Sequence, residues 1–327
     1  MGDEVAFKEL VERHRSELEL HCYRLLGSIH SAEDAVQETF LAAWNGMGSF
    51  EGRSSLRTWL YRIATNCCLN MLRAGTRRPL PVDDLEKVPL PEPTRLGDVL
   101  WLEPFPDDLI DAIPDSAPGP EARYEIREAV SLAFVTALQL LPPRQRAVVI
   151  LRDVLGYRAR EVATILDSTE ESVTSALKRA RAVLEADRAR GKEVAVSPPG
   201  SARQHVLVQR FVDAFESADL DRVVELLTED VWFRMPPLPL EFQGPKKARQ
   251  FLEAVTPPPE VARRLMPTRA NGQPALGMYF GDRSAPVLHL LGLFVLTLSG
   301  DRIAAITRFD HTALGRFKLP RTIPAGR

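Results

Sequence analysis

Cysteine is scarce in this chain, and an excess of either charge and long apolar runs are missing; each shortage closes a functional class. The three cysteines are Cys22, Cys67 and Cys68. An odd count with one adjacent pair and no CxxC spacing argues against a disulfide framework or a zinc site, and suits a reducing cytoplasm. The 42 Lys and Arg nearly balance the 44 Asp and Glu, for a net charge of -2. Any DNA-binding surface must therefore be a local basic patch offset by acidic stretches elsewhere. The longest apolar run, Val287 to Leu298, is too short to span a bilayer. The opening MGDEVAFKELVERHR mixes both charge signs and lacks the apolar core of a signal peptide. These features predict a soluble, cytoplasmic protein that makes no use of a membrane.

What is present is globular. Hydrophobic residues make up 45% and charged residues 26% of 327 residues, which calls for two or three cores. Helical spacing runs from Glu4 to about Arg73, through Val5, Leu10, Leu18, Leu25, Val36, Phe40 and Trp44. From Arg77 to Pro120, prolines alternate with acidic residues such as Asp83, Asp84, Asp98 and Asp115, the pattern of a long acidic linker. Helical periodicity returns from Glu121 to about Arg190, and Ser197-Pro198-Pro199-Gly200 marks a second break. Two helical stretches, Val206 to Glu216 and Leu220 to Leu227, then lead into β-rich segments at Val231–Met235, Leu276–Phe280, Val287–Leu298 and Arg302–Phe309. The turn Ser299-Gly300-Asp301 reads as a hairpin, and helices leaning on a curved antiparallel sheet are expected.

Two blocks carry the chemistry. In Ser31 to Trp44, Val36, Phe40 and Trp44 are expected inward, leaving Glu33, Asp34, Gln37, Glu38 and Leu41 as an acidic outer face with one exposed leucine. That composition suits a protein partner. After a loop centred on Phe50, the helix Leu56 to Arg73 is expected to bury Leu56, Trp59, Leu60, Ile63 and Cys67. Arg57, Tyr61, Arg62, Thr65, Asn66 and Arg73 then lie on other faces. Aromatic and basic side chains together suit unpaired bases. Core packing of Cys67 is the favoured reading over redox sensing of the Cys67–Cys68 pair.

In the second block, a short helix Ala159 to Leu166 ends at Asp167, and Ser168 with Glu171 has capping-box spacing for the next helix. Its buried stripe is Val173, Ala176, Leu177, Ala180 and Leu184. Glu170, Ser172, Thr174, Ser175, Lys178, Arg179 and Arg181 face outward, with Arg188 and Arg190 beyond. This is a helix-turn-helix pattern in which small polar residues read base edges and basic ones hold phosphates.

With AEDAVQETFLAAW, SSLRTWLYRIATN and LPPRQRAVVILRDVLGYRAREVA in this order, the chain resembles the extracytoplasmic-function sigma factors of the sigma-70 family. The additional C-terminal unit is similar to that of the sigma-G-like subgroup, which ends in a SnoaL-like domain. The resemblance implies a multidomain chain: two all-α sigma domains, the second with a helix-turn-helix, plus a C-terminal α+β SnoaL-like cone. The boundaries expected are region 2 at 1–78, the acidic linker at 79–120, region 4 at 121–190, a linker at 191–202 and the cone at 203–320.

The resemblance further implies that Glu33, Asp34, Gln37, Glu38 and Leu41 grip the clamp of the polymerase beta-prime subunit. Phe50, Ser54, Arg57, Trp59, Arg62, Asn66 and Arg73 would meet the minus-ten element of promoter DNA. Glu170, Ser172, Thr174, Ser175, Lys178, Arg179 and Arg181 would read the minus-35 element, and the linker would follow the path of nascent RNA. Asn70 stands where the family often has Asp, and Thr174 and Ala176 where it often has Lys and Arg, which implies a weaker phosphate grip.

In the cone, Asp230, His289, Asp310 and His311 are the candidate pocket residues for a small-molecule ligand. Binding is favoured over catalysis, because the fold alone assigns no activity; no cofactor and no metal are expected. Met235 to Pro239 reads as a pocket rim or domain contact. The alternatives are a DNA-tethered small-molecule sensor or SnoaL-type enzyme, and a plain duplex-reading helix-turn-helix regulator.

Overall fold

The computed structural model describes residues 9, 11–52, 54–75, 90–97, 102–113, 128–190, 201–255, 258 and 261–325. The linker segments expected at 79–89, 98–101, 114–120 and 191–200 fall outside these residues. The chain forms two compact units. One joins Met1–Arg78 to Asp107–Lys192, and the other joins Pro79–Pro106 to Glu193–Arg327.

In the first unit, helix α1 (Arg15–Leu26) ends at Gly27, whose φ of 72° lets its N–H reach back to the Tyr23 carbonyl at 2.7 Å. Helix α2 (Ile29–Gly46) starts at once, because the Ser28 side chain accepts from the Ser31 amide. Helix α3 (Leu56–Ala74) is capped in the same way by Ser55. Ala32, Ala35 and Ala43 are fully buried along α2, and these small residues let α1 and α3 approach closely. The buried line runs 32, 35, 36, 39, 43. Steps of four from Val36 through Phe40 drift about 40° each, so Trp44, expected inward, is instead 43% exposed.

The burial along α3 also departs from expectation. Leu60, Tyr61, Ala64, Thr65, Cys68 and Leu69 form the buried line, so Tyr61 and Thr65 are interior, and Cys68 takes the place expected for Cys67. The face is covered by the second helical block, where the Tyr157 ring lies 6.0 Å from that of Tyr61. Burial raises the thiol pKa of both Cys67 and Cys68, which keeps them protonated and poorly nucleophilic.

That second block follows a short helix α4 (Asp107–Asp111) and comprises α5 (Leu132–Gln139), α6 (Pro143–Val149), a π-helical turn Ile150–Val154, α7 (Ala159–Ile165) and α8 (Glu170–Arg190). Pro143 sits in the first turn of α6, where its missing N–H costs nothing. Two buried guanidiniums bind the blocks together. Arg24 donates to the Ala129 carbonyl at 2.9 Å. Arg146 donates to the carbonyls of Leu25, Gln139 and Leu141 and to the Gln139 side chain. Loss of hydration lowers both, to about 10.

The second unit is α+β. Helices α9 (Ala202–Glu216), α10 (Leu220–Glu225) and α11 (Pro245–Val255) accompany β1 (Arg95–Leu96), β2 (Leu227–Met235), β3 (Leu238–Gln243), β4 (Val261–Ala270), β5 (Gln273–Asp282), β6 (Val287–Ser299), β7 (Arg302–Asp310) and β8 (Thr322–Pro324). The sheet order is β1-β3-β2-β7-β6-β5-β4, with β8 beside β6. It is mixed and not wholly antiparallel as expected, since β2 runs parallel to β7. Ser299–Arg302 does close a hairpin. Met235 pairs with Leu238, so the Met235–Pro239 segment forms a tight β2–β3 turn. One face of the sheet meets a phenylalanine cluster: Phe211, Phe215, Phe233, Phe242, Phe251 and Phe294.

Candidate promoter and polymerase interfaces

The α2 face stands clear. Asp34, Gln37 and Glu38 are exposed, Glu33 is half-buried, and Leu41 is 65% exposed. Positions 33, 34, 37, 38 and 41 share one side because they fall at helical spacing. Leu41 is the large apolar side chain exposed on this otherwise polar and acidic face.

On α3, Arg62, Asn66 and Arg73 are exposed and share a face with Asn70; Arg73 donates to the Asn70 side chain at 3.0 Å. Phe50 packs on Trp59, with ring centroids 4.8 Å apart, both half-buried, and Ser54 is exposed beside them. Trp59, Arg62, Asn66, Asn70 and Arg73 recur at helical spacing along α3. Arg57 is less free. It donates to Glu17 at 2.8 Å and its guanidinium lies 4.8 Å from the Tyr61 ring centroid.

Beneath that surface lies a polar core contact. The Thr65 hydroxyl donates to the Tyr61 carbonyl at 2.7 Å, so its remaining capacity is to accept, and His21 Nε2 donates to it at 2.9 Å. Burial first, and then the charges of Arg24 and Arg57, push the His21 pKa down to about 3. The ring is neutral at physiological pH.

The helix-turn-helix is formed by α7 and α8. Asp167 adopts φ 47° and the Ser168 amide bonds back to Ala163 at 2.9 Å, so Thr169, and not Ser168, caps α8 by accepting from the Ser172 amide at 3.2 Å. Val173, Ala176, Leu177 and Ala180 are buried as expected. Glu170, Ser172, Thr174, Ser175, Lys178 and Arg179 are exposed. Arg181 is exposed but grips Asp153 through two nitrogens, at 2.7 and 3.0 Å, which orients α8 against the π-helical turn.

The four candidate pocket residues are divided. Strand alternation puts Asp230 on the opposite face from Val231 and Phe233, which are buried in the cluster. His289 pairs with Phe280 and is exposed, unlike the packed strand histidine expected. His311 opens a 3-10 turn, with its Nδ1 3.0 Å from the Asp310 carboxyl group. Among the described residues no His, Cys, Asp and Glu cluster could hold a metal ion.

Sigma-70 region 2 matches residues 10–78, Sigma-70 region 4 matches residues 131–184, and a SnoaL-like domain matches residues 208–306. The ECF RNA polymerase sigma factor SigG of Mycobacterium tuberculosis (strain CDC 1551 / Oshkosh) is 41% identical over 325 residues, covering 97% of this chain and 85% of that one. The chain belongs to the ECF RNA polymerase sigma factors. It directs RNA polymerase to promoters and carries a fused SnoaL-like domain. SigW of Bacillus subtilis (strain 168) is 28% identical over 187 residues, 56% of this chain and 89% of SigW, which leaves nearly half of the present sigma factor without a counterpart there. The crystal structure of Mycobacterium tuberculosis SigJ shares the fold, with a TM-score of 0.62 at 21% identity over 96% of this chain and 99% of SigJ.

One functional feature escaped sequence reasoning. Part of the segment read as a linker belongs to the SnoaL-like unit. Arg95 and Leu96 add β1 to the edge of β3. Phe105 is fully buried, and its backbone exchanges two hydrogen bonds with Asn271, one to the Asn271 side chain and one from the Asn271 amide, both 2.8 Å. Asn271 sits at φ 55° in the β4–β5 turn, a conformation asparagine tolerates. The only signal in the sequence was the apolar WLEPFP inside an otherwise acidic, proline-rich stretch.

Proposed function

We propose that the acidic α2 face binds the beta-prime clamp, that Phe50, Trp59, Arg62, Asn66 and Arg73 take the single-stranded minus-ten element, and that the α8 face from Glu170 to Arg179 reads the minus-35 element. In this reading Arg57 and Arg181 position the surfaces instead of contacting DNA, since both are held by carboxylates. The protein acts in the cytoplasm and performs no catalysis. The SnoaL-like domain regulates by holding the inter-region linker, and the observation that carries this is the Phe105–Asn271 bond pair.

Promoter-dependent transcription with purified polymerase core tests both halves. Arg62→Ala and Lys178→Ala should each lower transcription about tenfold, whereas a Phe105→Ala/Asn271→Gly double variant should raise it by releasing the linker. Glycine keeps the left-handed backbone at 271. If the double variant transcribes at the parent level while its linker becomes protease-sensitive, linker capture has no regulatory role.

A further inference from the structure

The short strand β1 sits in a seat shaped to it. Arg95 pairs with Glu241 on β3, and Glu241 pairs with Arg234 on β2. Opposed residues share a face, so the three side chains form one row of alternating charge across this edge of the sheet. Both guanidiniums donate to the Glu241 carboxylate, Arg234 at 3.1 Å, and both lie over the Trp232 ring, 4.6 and 5.0 Å from its centroid. The backbone is held as well. The Thr94 and Gly97 amides donate to the carbonyls of Glu241 and Pro239 at 2.9 and 2.7 Å, and the Gln243 amide donates to the Thr94 hydroxyl at 2.9 Å. Lys247 on α11 donates to the Glu92 carbonyl at 2.7 Å. Glycine is needed at 97, because a β-carbon there would lie 3.1 Å from the Glu241 carboxyl group.

The seat does not depend on its occupant. Trp232, Arg234 and Glu241 belong to β2 and β3, which pair with each other from Trp232–Gln243 to Met235–Leu238. With Arg95 gone, Arg234 still offsets the Glu241 charge and still lies over Trp232. The occupant itself is lightly held. β1 contributes two residue pairs, Leu96 is 71% exposed and so buries little apolar area, and the Arg95 side chain is 54% exposed, where an ion pair is worth little.

We propose that the β3 edge is a peptide-binding site for an extended segment with arginine and glycine two residues apart, filled reversibly by Glu92–Gly97 of the chain's own linker. Strand addition supplies the backbone bonds, and Glu241 with Trp232 selects the arginine. This anchor is separate from the one at Phe105 and Asn271. Its release returns about 20 Å of extended chain to the segment joining the two sigma regions. Only that consequence for transcription rests on the reading that linker capture regulates the sigma factor.

The test is hydrogen exchange on the full chain, read at the Thr94 and Gly97 amides with the Asn271 amide as reference. Arg95→Met and Gly97→Val should each speed exchange at Thr94 and Gly97 about tenfold and leave Asn271 at the parent rate. A fluorescein-labelled peptide of residues 91–98 should bind the Arg95→Met/Gly97→Val double variant, whose seat is vacated, and not the parent, whose seat is filled. The same peptide carrying the Arg95→Met change should bind at least tenfold more weakly. Unchanged exchange at both amides, equal acceleration at Asn271, no peptide binding by the double variant, or equal binding of the two peptides each overturns the proposal. Where exchange quickens and the peptide binds while promoter-dependent transcription stays at the parent level, the site stands and the regulatory reading of linker capture falls.

Discussion

The two units hold their interiors together by different means. The sigma unit threads polar groups through its core: His21, Arg24, Thr65 and Arg146 are all buried and aimed at carbonyls or one another. The SnoaL-like unit relies on stacked and edge-on phenylalanines, with Phe233 and Phe251 rings 4.5 Å apart and Phe215 and Phe294 rings 5.5 Å apart. Guanidinium-to-carbonyl contacts are directional and can be exchanged for water. Aromatic pairs hold offset and edge-on geometries and are costly to open, which suits a domain acting as a rigid body.

The largest break in that contrast should come from the aromatic side. Phe294→Ala should destabilise the SnoaL-like unit by about 3–5 kcal/mol, seen by hydrogen exchange as faster exchange along β5–β7 with α1–α3 unaffected. A drop shared equally by both units would show that they unfold as one.

Next in size, Arg146→Met strands the Leu25, Gln139 and Leu141 carbonyls and should cost the sigma unit about 2–3 kcal/mol, read from its urea midpoint. A neutral or stabilising result would mean that this contact serves orientation alone.

The last effect is small near neutrality and grows as pH falls. His21 is neutral when folded, with its pKa near 3 against 6.5 for the free side chain. Below 6.5 the unfolded chain takes up a proton that the folded chain refuses. Stability of the sigma unit should therefore fall as pH drops from 6.5 toward 3, by up to about 1.4 kcal/mol per pH unit. His21→Phe should flatten this slope in thermal melts between pH 7 and 4.5. An unchanged slope would locate the acid sensitivity in other groups.

Much of this was legible beforehand because it rests on local rules. The Val173–Ala180 stripe and the Ser299–Arg302 hairpin follow from short-range spacing and turn chemistry. The exposed faces of α2 and α8 were likewise readable, since amphipathic period alone separates them. Strand β4 escaped because Arg263, Arg264 and Arg269 interrupt its apolar pattern. Arg264 is accounted for by Glu216 at 2.6 Å, and the same carboxylate receives the Leu265 amide at 2.8 Å. No local rule could place that partner on a helix nearly fifty residues earlier.

By itself, then, the sequence determined the helical blocks, the outward polar faces of α2 and α8, and the family, because each is encoded over a few consecutive turns. Tertiary structure alone decided that Tyr61 and Thr65 are buried, that Arg57 is tied to Glu17, that Asp230 lies on the opposite sheet face from Asp310, and that Phe105 is captured by Asn271. Each of those outcomes depends on which surfaces are brought together across long stretches of chain. Burial, pairing and the loss of hydration are properties of the packed neighbours, and the neighbours exist only once the chain has folded.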